Sequence, residues 1–176
     1  MKEEISVLIE EEKLQKRVKE LAEQINKDYE GKKIHLICIL KGSVFFTCEL
    51  AKHIKVPVIM DFMTVSSYGD GLKSSGYINI EQDFSIDIKG RDVLVIEDIV
   101  DSGRTLAYLA HMMKKREPSS LKVCALLDKP EHRETEITVD YSGFAIDDAF
   151  VVGFGLDYAQ KYRNLPYIGV LNLKED

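Results

Sequence analysis

Leu14, Val18, Leu21 and Ile25 recur at helical spacing among charged residues, which predicts an amphipathic helix over roughly residues 10 to 29. The stripe is too short to sustain a coiled coil, so it is expected to face a core. KIHLICILKGS then reads as a buried strand over about 33 to 40 ending in a tight turn, and VFFTCELAKHI as a helix. VPVIMDFMTV predicts a second strand, about 57 to 65. SSYGDGLKSSG, Ser66 to Gly76, is rich in Gly and Ser and has no periodicity, the composition of a loop. Tyr77 to Ile80 begins a return strand, and VLVIED, about 93 to 98, is a third buried strand. Leu106, Leu109, Ala110 and Met113 mark one face of the helix after it, and Pro118 follows its end. LKVCALL, AFVVGF and YIGVLNL are further short apolar strands. Strands alternating with helices over the first two-thirds predict an α/β fold, a central mostly parallel sheet flanked by helices on both faces. The strand-rich remainder is expected to belong in part to a smaller subdomain. With no repeat, low-complexity tract or clear linker, the 176 residues read as one domain.

Composition narrows the classes of partner. A hydrophobic content of 45% is ordinary for a packed core, and a net charge of −6 argues against a nucleic-acid or anionic-membrane binder. Cys38, Cys48 and Cys124 have no C-x-x-C spacing, and two lie in apolar runs, which fits thiols kept reduced. The first 20 residues lack the apolar core of a signal peptide, and no apolar run reaches the roughly 18 residues of a membrane helix. The expectation is a cytoplasmic protein with neither membrane nor nucleic acid as partner.

The chemistry concentrates in VLVIEDIVDSGRTL, Val93 to Leu106. A strand, a short Gly-containing turn and a helix make an anion site, because the first helical N–H groups have no intrahelical partner and the helix dipole adds positive potential. Yet Glu97, Asp98 and Asp101 place three carboxylates there. Neither a P-loop nor a dinucleotide fingerprint is present. Asp101 or Ser102 as a simple helix cap would account for one acid. It leaves Glu97 and Asp98 unexplained at the carboxyl end of a central strand, where open α/β sheets bind ligands. Adjacent strand carboxylates point to opposite faces, so hydroxyl-rich ligands and hydrated Mg²⁺ suit them better than simple chelation.

This stretch resembles the phosphoribosyl-diphosphate signature of the type I phosphoribosyltransferases: an apolar strand, two acids, two apolar residues, then D-[ST]-G-x-T. The rest of the chain resembles their hypoxanthine–guanine (6-oxopurine) branch over nearly its whole length. The resemblance implies the type I phosphoribosyltransferase fold across residues 1–176, with a small hood formed by terminal segments and a flexible catalytic loop. LKGS, Leu40 to Ser43, resembles the diphosphate loop, with Lys41 and Gly42 as binding residues and a non-proline cis peptide expected between them. SSYGDG resembles the mobile loop whose Ser67 and Tyr68 close over diphosphate. LLDKP puts Lys129 at the purine-reading lysine, an ammonium with donors only, suited to O6 of hypoxanthine or guanine. FVVGFGLDYAQKYR resembles the base-and-diphosphate segment, in which Phe150 stacks on the purine and the Val151 backbone pairs with its edge. Asp157 there serves the purine site and Mg²⁺, and Arg163 binds diphosphate.

The implied reaction is Mg²⁺-dependent transfer of ribose 5-phosphate from 5-phosphoribosyl 1-diphosphate to N9 of hypoxanthine or guanine, giving IMP or GMP and diphosphate. Glu97 and Asp98 would bind the ribose hydroxyls, directly or through Mg²⁺, and face charge growing at the anomeric carbon. Asp101 would accept the N7 proton. Ser102, Gly103, Arg104 and Thr105 would hold the 5-phosphate. A homodimer or homotetramer is implied by the resemblance alone. A nucleotide-sensing regulator and a phospho-acceptor domain are the rivals from other classes, and a xanthine- or pyrimidine-specific relative is the rival enzyme. His35, His53, His111 and His132 have no metal-ligand spacing and receive no role.

Overall fold

The computed structural model describes residues 2–68 and 77–174. The chain runs β1 (Lys2–Ile9), α1 (Glu11–Asp28), β2 (Ile34–Leu40), α2 (Val44–His53), β3 (Val58–Tyr68), β4 (Tyr77–Gln82), β5 (Asp92–Val100), α3 (Arg104–Lys114), β6 (Ser120–Asp128), a 3-10 turn (Pro130–His132), β7 (Tyr141–Ala145), β8 (Val151–Val152) and β9 (Ile168–Lys174). Six strands form one sheet in the order β4-β3-β2-β5-β6-β7, and β1, β9 and β8 form a second, three-stranded sheet. Among the described residues of the large sheet, the β3–β4 pair is antiparallel and the other pairs are parallel.

Side-chain alternation divides the core into two clusters. Leu36, Leu94 and Ile96 face Leu14, Val18, Leu21 and Ile25 of α1 and Phe46 and Leu50 of α2. Ile37, Ile39, Val93 and Val95 face Leu106, Leu109 and Met113 of α3. Successive strand residues point to opposite faces, so β2 and β5 must be apolar throughout. The α1 stripe is fully buried, as its spacing requires, and each such Leu or Ile stabilises the fold by about 1.5–3 kcal/mol. Asp61 anchors β3 to the segment before β5, accepting hydrogen bonds from the N–H groups of Phe62, Ser85 and Ile86 at 2.9 Å each.

Several elements differ from the sequence expectations. β1 and β7 are strands that the apolar pattern does not announce. AFVVGF contributes a strand only at Val151–Val152, and the residues beyond it form an irregular segment. There Gly153, Phe154, Gly155, Ala159, Gln160 and Tyr162 all have positive φ. Of the expected loop Ser66 to Gly76, residues 66–68 complete β3, and 69–76 lie outside the described residues. So do the side chains of Ser67 and Tyr68. Among the described residues, no helix is long and apolar enough to cross a membrane.

Candidate active site

The strand order places the site. From β2 the chain winds outward through β3 and β4, and from β5 the other way through β6 and β7. The crevice between the carboxyl ends of β2 and β5 is therefore the switch point, where α/β sheets bind ligands. The turn after β2 delivers Lys41 and Gly42, and the end of β5 with its turn delivers Glu97 to Thr105. A cavity of about 310 Å³ opens there, lined by Lys41, Gly42, Glu97, Asp98, Thr105 and Arg163 among others. A second, of about 220 Å³, adjoins it, sharing Asp98, Ile99 and Asp157 and adding Asp101, Lys129, Phe150 and Val151.

Glu97 and Asp98 both line the first cavity, although adjacent strand residues point to opposite faces, because the cavity lies across the strand's end. Glu97 Oε1 accepts from the Asp98 N–H at 3.2 Å, and Asp98 Oδ1 from the Ile99 N–H at 2.7 Å. Burial, reinforced by the neighbouring Asp98, pushes Glu97 well above the ordinary carboxyl range. Burial raises Asp98 too. A Cβ on Gly42 would overlap the Asp98 carboxylate, and one on Gly155 would overlap the Gly42 carbonyl oxygen. Three chain segments thus meet without space for a methyl group.

The turn after β5 is open toward ligand. The helix α3 begins after Gly103, at φ 80° and with no side-chain cap of its own; Asp101 makes no cap, and the Ser102 hydroxyl accepts only a long 3.4 Å contact from the Arg104 N–H. A Cβ at Gly103 would meet the Thr135 carbonyl oxygen at 2.7 Å, because residues 133–135 cross the turn. The N–H groups of Glu134 and Thr135 both donate to the Ser102 carbonyl at 3.0 Å. Arg104 is turned outward and pairs with Glu134 at 2.5 Å. Its side chain is committed to that pair, while Thr105 lines the cavity.

The cis peptide is found at Leu40–Lys41, one bond before the expected Lys41–Gly42 position. Lys129 is buried, and its ammonium lies 3.2 Å from Asp148 Oδ1 and 3.9 Å from Asp101 Oδ2. Phe150 is exposed and meets Tyr158 edge-on at 5.7 Å. Val151 is on β8, an edge strand, so one side of its backbone is not engaged by β9. Asp157 and Arg163 are paired with each other at 2.8 Å, and Arg163 also donates to the Gly155 carbonyl at 2.7 Å. The structure therefore brings all the expected site residues outside Ser67 and Tyr68 to one crevice or the turn after β5 that borders it. Sequence reasoning missed Asp148, Ile99, Gly155 and His132. IDDAF reads as a solvated acidic loop, and only the fold brings Asp148 to Lys129.

A profile of the phosphoribosyl transferase domain matches residues 8–159. The chain is 55% identical over 165 residues to a hypoxanthine-guanine phosphoribosyltransferase of Streptococcus pneumoniae (strain ATCC BAA-255 / R6), covering 94% of this chain and 92% of that one. It is 51% identical over 165 residues to the enzyme of the same name from Bacillus subtilis (strain 168), with the same coverage. Among solved structures, a hypoxanthine-guanine phosphoribosyltransferase from Bacillus anthracis, holding a HEPES molecule in its active site, superposes with a TM-score of 0.91. It is 45% identical, with 98% of this chain and 100% of that chain covered. The chain belongs to the phosphoribosyltransferase family, with the type I fold of those enzymes, and is a transferase. Within that family, these three relatives are named hypoxanthine-guanine phosphoribosyltransferases.

Proposed function

We infer that the protein transfers the 5-phosphoribosyl group from 5-phosphoribosyl 1-diphosphate to N9 of hypoxanthine or guanine, forming IMP or GMP and releasing diphosphate. The observation that carries this is the pair of adjoining cavities. One combines a phosphate turn, an acidic ledge and two cations; the other combines an aromatic face with a buried ammonium.

The residues fit Mg²⁺. Glu97 and Asp98 lie side by side in the ledge, and burial raises the proton affinity of both. Among the described residues, no three His, Cys, Asp or Glu side chains converge on one metal position. Mg²⁺ is commonly held by one or two carboxylates completed by phosphate and water. Glu97, Asp98 and, once freed from Arg163, Asp157 would hold it. When bound, it neutralises charge on the leaving diphosphate.

The chain's own groups do the rest. N–H groups of Ser102 to Thr105 and the Thr105 hydroxyl hold the 5-phosphate at the start of α3. Glu97 and Asp98 accept from the ribose hydroxyls and oppose the positive charge that grows at the anomeric carbon. Phe150 covers one face of the purine, and the backbone of Val151 pairs with its edge. Lys129 donates to O6, and a 6-amino group cannot accept from an ammonium. Asp101 takes the proton from N7 as N9 bonds to the sugar. Lys41 and Arg163 balance the departing diphosphate, Arg163 exchanging Asp157 for it. Ser67 and Tyr68 close over that end and exclude water. The three-stranded terminal sheet, which carries β8, acts as the hood over the base. The setting is a cytoplasmic homo-oligomer.

The test is diphosphate release from 5-phosphoribosyl 1-diphosphate and Mg²⁺ with hypoxanthine, guanine, xanthine, adenine or uracil. Turnover with hypoxanthine and guanine is expected and none with adenine or uracil. No turnover with any base overturns the reading.

A further inference from the structure

His132 closes a ring with three residues of the purine pocket. Asp101 Oδ2 and Asp148 Oδ1 lie 3.9 and 3.2 Å from the Lys129 ammonium. Their other oxygens face the imidazole: Asp101 Oδ1 is 3.5 Å from His132 Nδ1, and Asp148 Oδ2 is 3.4 Å from Nε2. Two carboxylates are thus spanned by two nitrogen groups. Four chain segments supply the members: the turn after β5, the end of β6, the 3-10 turn, and the loop before β8. Lys129 is only 7% exposed at its side chain, whereas His132 at 38% remains reachable by solvent protons.

We propose that His132, with Asp148, is a positioning residue that sets the basicity of Asp101 and ties it to pH. This rests on the role given above to Asp101 as acceptor of the N7 proton. An imidazolium has two N–H donors and can bridge both carboxylates; a neutral imidazole has one and can serve only one. With His132 protonated, both oxygens of Asp101 face cations. An opposite charge this close makes a carboxylate a weaker base. Loss of that proton opens one link of the ring and restores Asp101 as a base. Asp148 holds the outer end of the imidazole and supplies Lys129 with an acceptor while no purine O6 is present. The other charged groups around His132 are Glu131, Arg133 and Glu134 on its own segment, and Asp128, which the Arg133 guanidinium engages. Arg133 also donates to the Asp101 backbone carbonyl at 3.1 Å, which fixes the turn against the segment carrying His132. The proton balance is simple: the N7–H bond breaks, its electron pair stays in the purine ring, and the proton goes to the Asp101 carboxylate. His132 adds no step and touches no substrate.

Two measurements test this on the full chain. The first is kcat for hypoxanthine between about pH 5 and 8, the range in which imidazoles titrate, for wild type and His132→Gln. Wild type should lose kcat on the acidic side of that range, by about tenfold from the high-pH plateau once about a tenth of the imidazole is neutral. His132→Gln should lose that limb and keep the plateau. The second is NMR titration of the His132 ring, assigned by its disappearance in His132→Gln. Asp148→Asn should lower its midpoint, because one of the two carboxylates favouring the charged form is gone. An unchanged acidic limb in His132→Gln, or a His132 midpoint indifferent to Asp148→Asn, overturns the proposal. A wild type without turnover sinks the activity reading instead, and the NMR titration still decides whether the ring exists.

Discussion

Gly42→Ala isolates the contact on which the acidic ledge depends. The φ of Gly42 is not among the positive values, so the backbone itself accepts alanine. The obstacle is the Asp98 carboxylate, which occupies the place a Cβ would take. The turn cannot retreat, because Gly155 is packed against the Gly42 carbonyl from the other side. The strain therefore falls on Asp98, whose carboxylate must rotate away and give up the 2.7 Å bond from the Ile99 N–H. Overpacking of this kind costs about 1–3 kcal/mol. For a chain of this size that lowers Tm by about 2–4 °C per kcal/mol. The activity cost should be larger than the stability cost implies, since displacing a positioning group by about 1 Å can cost about 10²-fold in rate. Thermal unfolding and initial-rate kinetics on the purified variant read both. A double-mutant cycle isolates the contact: in an Asp98→Ala background, Gly42→Ala should add little further loss, because the clashing oxygens are gone. Losses that simply add, or a Gly42→Ala enzyme with unaltered kcat/KM, would refute the contact as the cause.

Asp101→Asn should lower kcat by about 10²-fold or more with a milder effect on KM, within the usual range for a general base; near-normal kcat excludes the role. Lys129→Ala should erode discrimination between 6-oxopurines and adenine, measured as the ratio of kcat/KM values, and an intact ratio means another group reads O6. At Asp61, burial alone would raise the carboxyl, but hydrogen bonds from Ile86, Phe62 and Ser85 outweigh it and hold it below the ordinary range. Its stabilisation is then full above the unfolded value of about 3.9 and lost as pH falls through the lower folded value. Asp61→Asn should therefore flatten acid unfolding below about pH 4, followed by circular dichroism; curves of equal slope there contradict the anchor.

What the sequence made legible follows from how local each signal is. The helices α1, α2 and α3 and the apolar strands β2, β3, β5, β6 and β9 declare themselves, because full or partial burial writes a periodic or continuous apolar pattern. β1 carries its signal weakly: three charged residues open it, Val7 and Leu8 are exposed, and the partner strand β9 lies at the far end of the chain. β7 is short and contains Gly143, which depresses strand propensity but is needed where the Leu126 backbone leaves no space for a Cβ. The irregular segment after β8 has no period at all, and its positive-φ residues come from tertiary constraint. In the site, the acids on β5 and its turn were readable because they share one local strand–turn–helix unit. Asp148 and His132 were not, because isolated polar residues in loops are indistinguishable from solvated ones until the fold brings them together.

Three carboxylates beside a phosphate turn seemed contradictory as sequence, and the resolution lies in how the structure distributes cations among them. Asp101 shares Lys129 and His132 with Asp148, and Asp157 has Arg163. Among the described residues, Glu97 and Asp98 alone of the site acids have no ion-pair partner within 4.0 Å. They are also the two whose proton affinity is raised, by burial first and then, for Glu97, by its neighbour. A raised carboxyl destabilises the ligand-free fold as pH climbs from the unfolded value toward the folded one, and any cation brought to the ledge recovers that loss. The acids of the base pocket are neutralised by the chain itself and can hold side chains in place before substrate arrives. On the proposed function, Glu97 and Asp98 are left for the substrate: they would meet a metal ion with its diphosphate first, and then the anomeric carbon as its bond to diphosphate lengthens. Neighbouring anions thus serve different purposes according to whether the fold or the ligand supplies the opposing charge.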